Sequence, residues 1–225
     1  MPARLRPTAP VAADAILVGD PGRALMLAQE LLEQPKMSNH ARGLWGYTGV
    51  THGGHELTVQ STGMGGPSAA VVLRDLAELG LRRAVRIGTG TSLSDLAPGD
   101  LLIVGEARPF RGSFVGAETT KEPPNPLRPD PALTAKLREA LPDARVGTAV
   151  SLDVLHDPAW KVPSPAGDVA DMQTAALLDT AADVGIEAAA VLIVSAGSGA
   201  GQLRDEDLEA AAKRAGRAAA AILSP

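Results

Sequence analysis

Short aliphatic runs alternate along this chain with alanine-rich helical patterns, and that alternation limits the fold more than any other feature. Ala15–Val18, Leu57–Ser61, Ala84–Ile87, Leu101–Val104, Arg145–Val150 and Ala188–Val194 read as strands. Pro21–Gln34, Pro67–Leu79, Pro131–Leu141, Met172–Val184 and Asp205–Leu223 read as helices. Proline opens three of these helices, at a position where its missing N–H costs nothing. Gly80 and Gly185 follow two of them as stop signals. The last helix begins with acids and becomes basic, which complements its dipole. Strands and helices in this order imply a sheet covered by helices on both faces. The 225 residues are enough for one large domain with a substantial core, and no repeat or low-complexity linker divides them.

Composition narrows the partners. Aromatic residues make up 2% of the chain, so a stacking surface for single-stranded nucleic acid is not expected. A net charge of -5 argues in the same direction, and also against an anionic membrane surface. There is no cysteine, which removes disulfides, thiolate nucleophiles and Cys-ligated zinc. The stretch "MPARLRPTAPVAADAILV" lacks the apolar core of a signal peptide, and no apolar run reaches membrane-spanning length. The expectation is a cytoplasmic protein without a metal; His40, His52 and His55 do not have helical ligand spacing.

Three glycine-rich stretches follow strands: "VGDPGR" (18–23), "STGMGGPS" (61–68) and "RIGTGTS" (86–92). In a mostly parallel sheet, ligands collect beyond the carboxyl ends of the strands. Glycines there let backbone N–H groups approach an anion, and a helix N-terminus adds partial positive charge. Gly19, Arg23, Arg86 and Thr89 together offer amides, two guanidinium groups and a hydroxyl, a set suited to inorganic phosphate. Any one of these stretches alone is better explained as plain punctuation of an α/β fold. Arg86 is different, because it sits inside the apolar strand "AVRIG". A charge there must either find a structural carboxylate or bind an anion.

"GDPGR", "ARGLWGYTG", "STGMGGPS" and "RIGT" occur in the order and spacing of the nucleoside phosphorylases of the purine nucleoside phosphorylase/uridine phosphorylase type, and the chain resembles that family from about Leu5 to its last helix. "STGMGGPS" and "RIGT" are closer to the uridine branch, and "RGLWGYTG" to the hexameric purine branch. The resemblance implies one phosphorylase/hydrolase-like domain over residues 1–225, three-layered αβα, with a mixed central sheet. It implies cleavage of a sugar–base bond by inorganic phosphate as co-substrate, with no other cofactor. Gly19, Arg23, Arg86 and Thr89 would hold the phosphate, with Arg42 reaching in from a neighbouring subunit of a hexamer or dimer. Met64, Met172 and Gln173 would contact ribose, and the base would lie near Thr91, Leu155 and Ser195. Arg86 and Gln173 are the residues expected to carry catalysis.

The chain departs from the family pattern in four places. A Glu-Met-Glu motif, whose second glutamate holds the ribose hydroxyls, reads Asp171-Met172-Gln173 here. Gln173 keeps hydrogen-bonding capacity but is neutral. Where purine enzymes have Ser-Asp and uridine enzymes Asn-Arg, this chain has Ser195-Ala196, and alanine can donate no proton to a base. Thr91 stands where the family has glycine, and Arg4 aligns with an N-terminal histidine. Asp153, His156 and Asp168, from nearby irregular segments, are candidate replacements for the lost substrate contacts. Phosphorolysis of a purine or pyrimidine nucleoside is the leading reading. A catalytically impaired binder of nucleoside, nucleotide or sugar phosphate and a nucleoside hydrolase are the alternatives, the last disfavoured because water attack has no use for the arginines.

Overall fold

Asp14–Val18 (β1) is buried along its whole length, as a strand covered on both faces should be. In a computed structural model, which describes residues 4–110, 125–153, 166–197 and 201–224, it leads into α1 (Pro21–Leu31). Asp20 caps that helix, its side chain accepting from Arg23 N at 2.7 Å. The helix stops three residues short of the expected Gln34. Gln34 takes a left-handed φ of 46°, and Pro35 follows, so the chain turns into β2 (Leu32–Asn39) instead. A 3-10 turn at Ala41–Gly43 leads to β3 (Gly46–Thr51), β4 (Glu56–Ser61), α2 (Gly66–Glu78) and β5 (Arg83–Ser92). Then come β6 (Leu101–Pro109), α3 (Pro131–Ala140), β7 (Arg145–Ser151), β8 (Val169–Asp171), α4 (Thr174–Val184), β9 (Glu187–Gly197), β10 (Gly201–Gln202) and α5 (Asp205–Leu223).

The described strands form one mixed sheet in the order β10-β9-β6-β7-β8-β5-β1-β4-β3-β2, and β5 pairs with β9 as well. That extra pairing closes β5, β9, β6, β7 and β8 into a ring, while β1 to β4 extend from it as an open wing. β1, β4, β5 and β9 run parallel to one another, with Leu17 opposite Arg86 and Arg86 opposite Ala190. Side chains alternate along the strands. Ile16, Val18, Val85, Ile87 and Val191 pack on α1, α3 and α5 through Leu27, Leu137 and Ala219. Ala15, Leu17, Ala84 and Leu192 pack on α2 and α4 through Leu73, Leu76 and Leu177. The sheet is therefore the middle of three layers, as expected. No helix among the described residues is long and apolar enough to cross a membrane.

Polar contacts fix both poles of the sheet. At the amino ends of the parallel strands, Asp14 accepts from Arg83 Nε at 2.7 Å and Nη2 at 2.6 Å, and lies 2.8 Å from His55 Nε2. Arg83 also donates to the Leu223 carbonyl at 2.6 Å, which ties the end of α5 to β1 and β5. Its pKa is raised, first by the hydrogen bond to Asp14. At the carboxyl ends, the ring closes where Thr91 and Ser92 of β5 meet Ala170 and Val169 of β8. That closure needs a glycine at position 90: an added Cβ would lie 2.4 Å from Val169 Cγ1 and 2.5 Å from the Ala170 carbonyl oxygen. Gly90→Ala is expected to destabilise the protein by about 1–3 kcal/mol through overpacking against backbone, measured by urea denaturation. Unchanged stability would contradict the tight β5–β8 contact.

Candidate active site

The carboxyl ends of β1, β4 and β5 open beside the start of α4, and the three glycine-rich stretches meet there. An added Cβ on Gly19 would lie 3.3 Å from the Gly63 carbonyl oxygen and 3.9 Å from Gln173 Oε1. Thr62 N donates to the Val18 carbonyl at 2.7 Å, and Ser61 Oγ to the Gly19 carbonyl at 3.2 Å. Ser68, in the first turn of α2, holds the second glycine stretch from the other side through the Thr62 carbonyl at 2.6 Å.

Arg86 has the carboxylate that its apolar strand demands. It is 4% exposed, and Nη2 donates to Asp171 Oδ2 at 3.0 Å. Nη1 donates to Gln173 Oε1 at 2.7 Å and Nε to Thr174 Oγ1 at 3.2 Å. Three of its five N–H groups are used in this way, and one hydrogen remains on each terminal nitrogen. Gly88 makes the room, since a Cβ there would sit 2.5 Å from Arg86 Nη2. Asp171, fully buried, is saturated in turn. Its Oδ1 accepts from Ser151 Oγ at 2.5 Å, and its Oδ2 from Thr174 Oγ1 at 2.6 Å and Thr174 N at 2.9 Å. The carboxylate thus caps α4 and neutralises Arg86 at once.

Arg23 is in the opposite condition. Its half-buried guanidinium makes no hydrogen bond or ion pair among the described residues. Burial pushes its pKa down; Asp20 opposes that and the nearby Arg86 adds to it. An unpaired, partly desolvated cation beside a second cation is the electrostatic signature of an anion site. Thr89, half-buried in β5, has no partner for its hydroxyl among the described residues.

The remaining expected residues are scattered more widely. Arg42 lies exposed on the turn between β2 and β3, at φ 61° and without an ion-pair partner among the described residues. Met64 is 82% exposed at the tip of the second glycine stretch, and Met172 is half-buried between β8 and α4. Gln173 is 3% exposed, and its side chain makes three hydrogen bonds within the protein and faces the Thr62 hydroxyl, whose hydrogen is shared with the Val18 carbonyl. A contact between Gln173 and ribose would therefore compete with these internal partners. Thr91 sits in the closure of the ring, and Ser195 Oγ donates to the Gly90 carbonyl at 3.1 Å. Ala196 pairs with Gln202 in the β9–β10 hairpin. Asp168 is committed to Thr148 N at 2.8 Å, with Arg145 3.9 Å away. Asp153 is half-buried at the end of its segment, while Leu155 and His156 lie outside the described residues. Sequence reasoning missed Asp171, Thr62, Thr174 and Ser151 as parts of this network. The signal for Asp171 was the buried charge of Arg86, but the partner is 85 residues away in the chain.

Comparisons with known proteins identify the family. The family model of the phosphorylase superfamily matches residues 14–225. A purine nucleoside phosphorylase DeoD-type of Clostridium perfringens is 33% identical over 199 residues, covering 82% of both chains. One from Caldanaerobacter subterraneus subsp. tengcongensis is 32% identical, covering 82% of this chain and 83% of its own. Among solved structures, a purine nucleoside phosphorylase of Toxoplasma gondii in complex with immucillin-H superposes with a TM-score of 0.81 at 23% identity, covering 95% of this chain and 92% of that one. The chain belongs to the phosphorylase superfamily, as a divergent member of its nucleoside phosphorylases.

Asp171→Asn tests the buried pair directly. Removing the carboxylate leaves Arg86 charged and uncompensated in the core, and the expected loss is about 3–5 kcal/mol of unfolding free energy. A loss below about 1 kcal/mol would show that Arg86 does not depend on Asp171.

Proposed function

We propose that this protein is a nucleoside phosphorylase: inorganic phosphate attacks the anomeric carbon of a nucleoside, the N-glycosidic bond breaks, and free base and (deoxy)ribose 1-phosphate leave. The observation that carries the reading is the unpaired Arg23 guanidinium beside Arg86, at strand ends rich in glycine. Gly19, Arg23, Thr89 and the two remaining N–H groups of Arg86 bind the phosphate. Arg86 and Arg23 carry positive charge and Asp171 and Asp20 negative, so this chain alone brings no net positive charge to the site. Arg42 of a second copy, in a homo-oligomer, supplies a further cation for a phosphate dianion. Met64 and Met172 flank the sugar, and the base lies toward Thr91 and Ser195. The purine nucleoside phosphorylase relatives favour a purine as the base.

Catalysis in such a site is mainly positioning and charge. The transition state resembles an oxocarbenium ion, and a phosphate oriented by fixed donors both attacks it and neutralises it. Ala196 offers no acid to the leaving base. Loss of one general acid typically costs about 100- to 10,000-fold in rate, so slow turnover is expected.

Incubation with inosine, adenosine and uridine, with and without phosphate, tests the proposal by base release. Phosphate-dependent release is expected. Release indifferent to phosphate would indicate a hydrolase. No release, with phosphate still raising the melting temperature, would indicate a binder. Arg23→Ala removes a charged hydrogen-bond donor worth about 1.5–3 kcal/mol, so phosphate KM should rise roughly 10- to 100-fold. An unchanged phosphate KM in that variant would place the anion elsewhere.

A further inference from the structure

We propose that Gln173 is a positioning residue for the anion site, and that it works only as an amide. The inference rests on the phosphorylase reading above. Gln173 stands between two of the elements that build the site. Its Oε1 accepts from Arg86 Nη1 at 2.7 Å and faces Thr62 Oγ1 at 3.1 Å, whose single hydrogen is shared with the Val18 carbonyl at 3.0 Å. Its Nε2 faces two acceptors, the carbonyl oxygens of Gly63 at 2.7 Å and Gly65 at 3.1 Å. An amide meets this arrangement fully, with two lone pairs on one atom and two hydrogens on the other. The side chain is 3% exposed, so water cannot repair a mismatch.

The consequence reaches both sides of the site. Through Oε1, Gln173 fixes the guanidinium plane of Arg86, and with it the direction of the two N–H groups left for phosphate. Through Nε2, it holds Gly63 and Gly65, at φ 72° and 81°, and so places the exposed Met64 between them. A glutamate at this position would present a lone pair to the Gly63 carbonyl where the amide presents a hydrogen. Once ionised, it would also add a negative charge beside the bound anion. The charged groups around it are Arg86 on β5, Asp171 ahead of α4, and Arg23 with Asp20 at the start of α1. A protonated glutamic acid restores one donor and removes the added charge.

Gln173→Glu and Gln173→Met, each shown to be folded by circular dichroism, are assayed for phosphate KM and kcat with a purine nucleoside from pH 5.5 to 8.5. Each value is taken as a ratio to the parent at the same pH, which cancels the titration of phosphate itself. For Gln173→Glu, the phosphate KM ratio should be at least tenfold at pH 8 and fall severalfold toward pH 5.5, with the loss greater in KM than in kcat. For Gln173→Met, the ratio should be raised and independent of pH. A Gln173→Glu ratio near one throughout, or flat and equal to that of Gln173→Met, overturns the inference while leaving the phosphorylase reading intact. If Gln173→Glu does not fold, an unchanged phosphate KM in Gln173→Met overturns it. If the parent shows no phosphate-dependent cleavage, the functional reading fails, and the same ratios are read from phosphate Kd by calorimetry. Absence of any phosphate binding by the parent overturns both.

Discussion

The buried ion pair of Arg86 with Asp171 organises the candidate active site of this protein. A guanidinium in the middle of an apolar strand carries a desolvation cost of several kcal/mol, which only a well-placed carboxylate and further hydrogen bonds offset. Asp171 supplies the carboxylate, and Thr174 and Ser151 saturate it. These residues come from β5, β7 and the junction of β8 with α4, so the pair ties three regions distant in sequence. It also sets how much charge is left for a ligand. Arg86 is neutralised internally, and the attraction for an anion falls to Arg23, which has no such partner.

The ring of β5, β9, β6, β7 and β8 is what brings Asp171 within reach. β8 has three residues and is held between β7 and the last two residues of β5. Without that closure, the Asp171–Gln173 segment would have no fixed position over Arg86. The tight contact at Gly90 and the room at Gly88 are therefore requirements of the site as much as of the fold. The opposite pole, where Arg83 joins Asp14 to the end of α5, holds the same strands in register from their amino ends.

Much of this was legible in the sequence. The strands β1, β4, β5, β6, β7 and β9 and all five α-helices could be read from hydrophobic pattern, proline starts and glycine stops. β2 was not, because "LEQPKMSN" has no period-two pattern; its conformation follows from Gln34 and Pro35 and from pairing with β3. β8 and β10 are too short to carry a periodic signal. Arg86 announced itself as a charge among aliphatics. Its counterion did not, because nothing local in "DMQ" marks Asp171 as buried. The substitution of glutamine for glutamate at 173 was visible as a loss of charge. Its physical sense lies in two backbone carbonyls of a loop 110 and 108 residues away.

The central claim is that Arg23 is free to receive an anion while Arg86 stays paired. A high-resolution structure with bound phosphate tests it most directly. The account predicts the phosphate within hydrogen-bonding distance of the Arg23 guanidinium, the Thr89 hydroxyl and the backbone at Gly19, with the Arg86–Asp171 contact intact. An anion bound away from Arg23, or one that displaces Asp171 from Arg86, would contradict it.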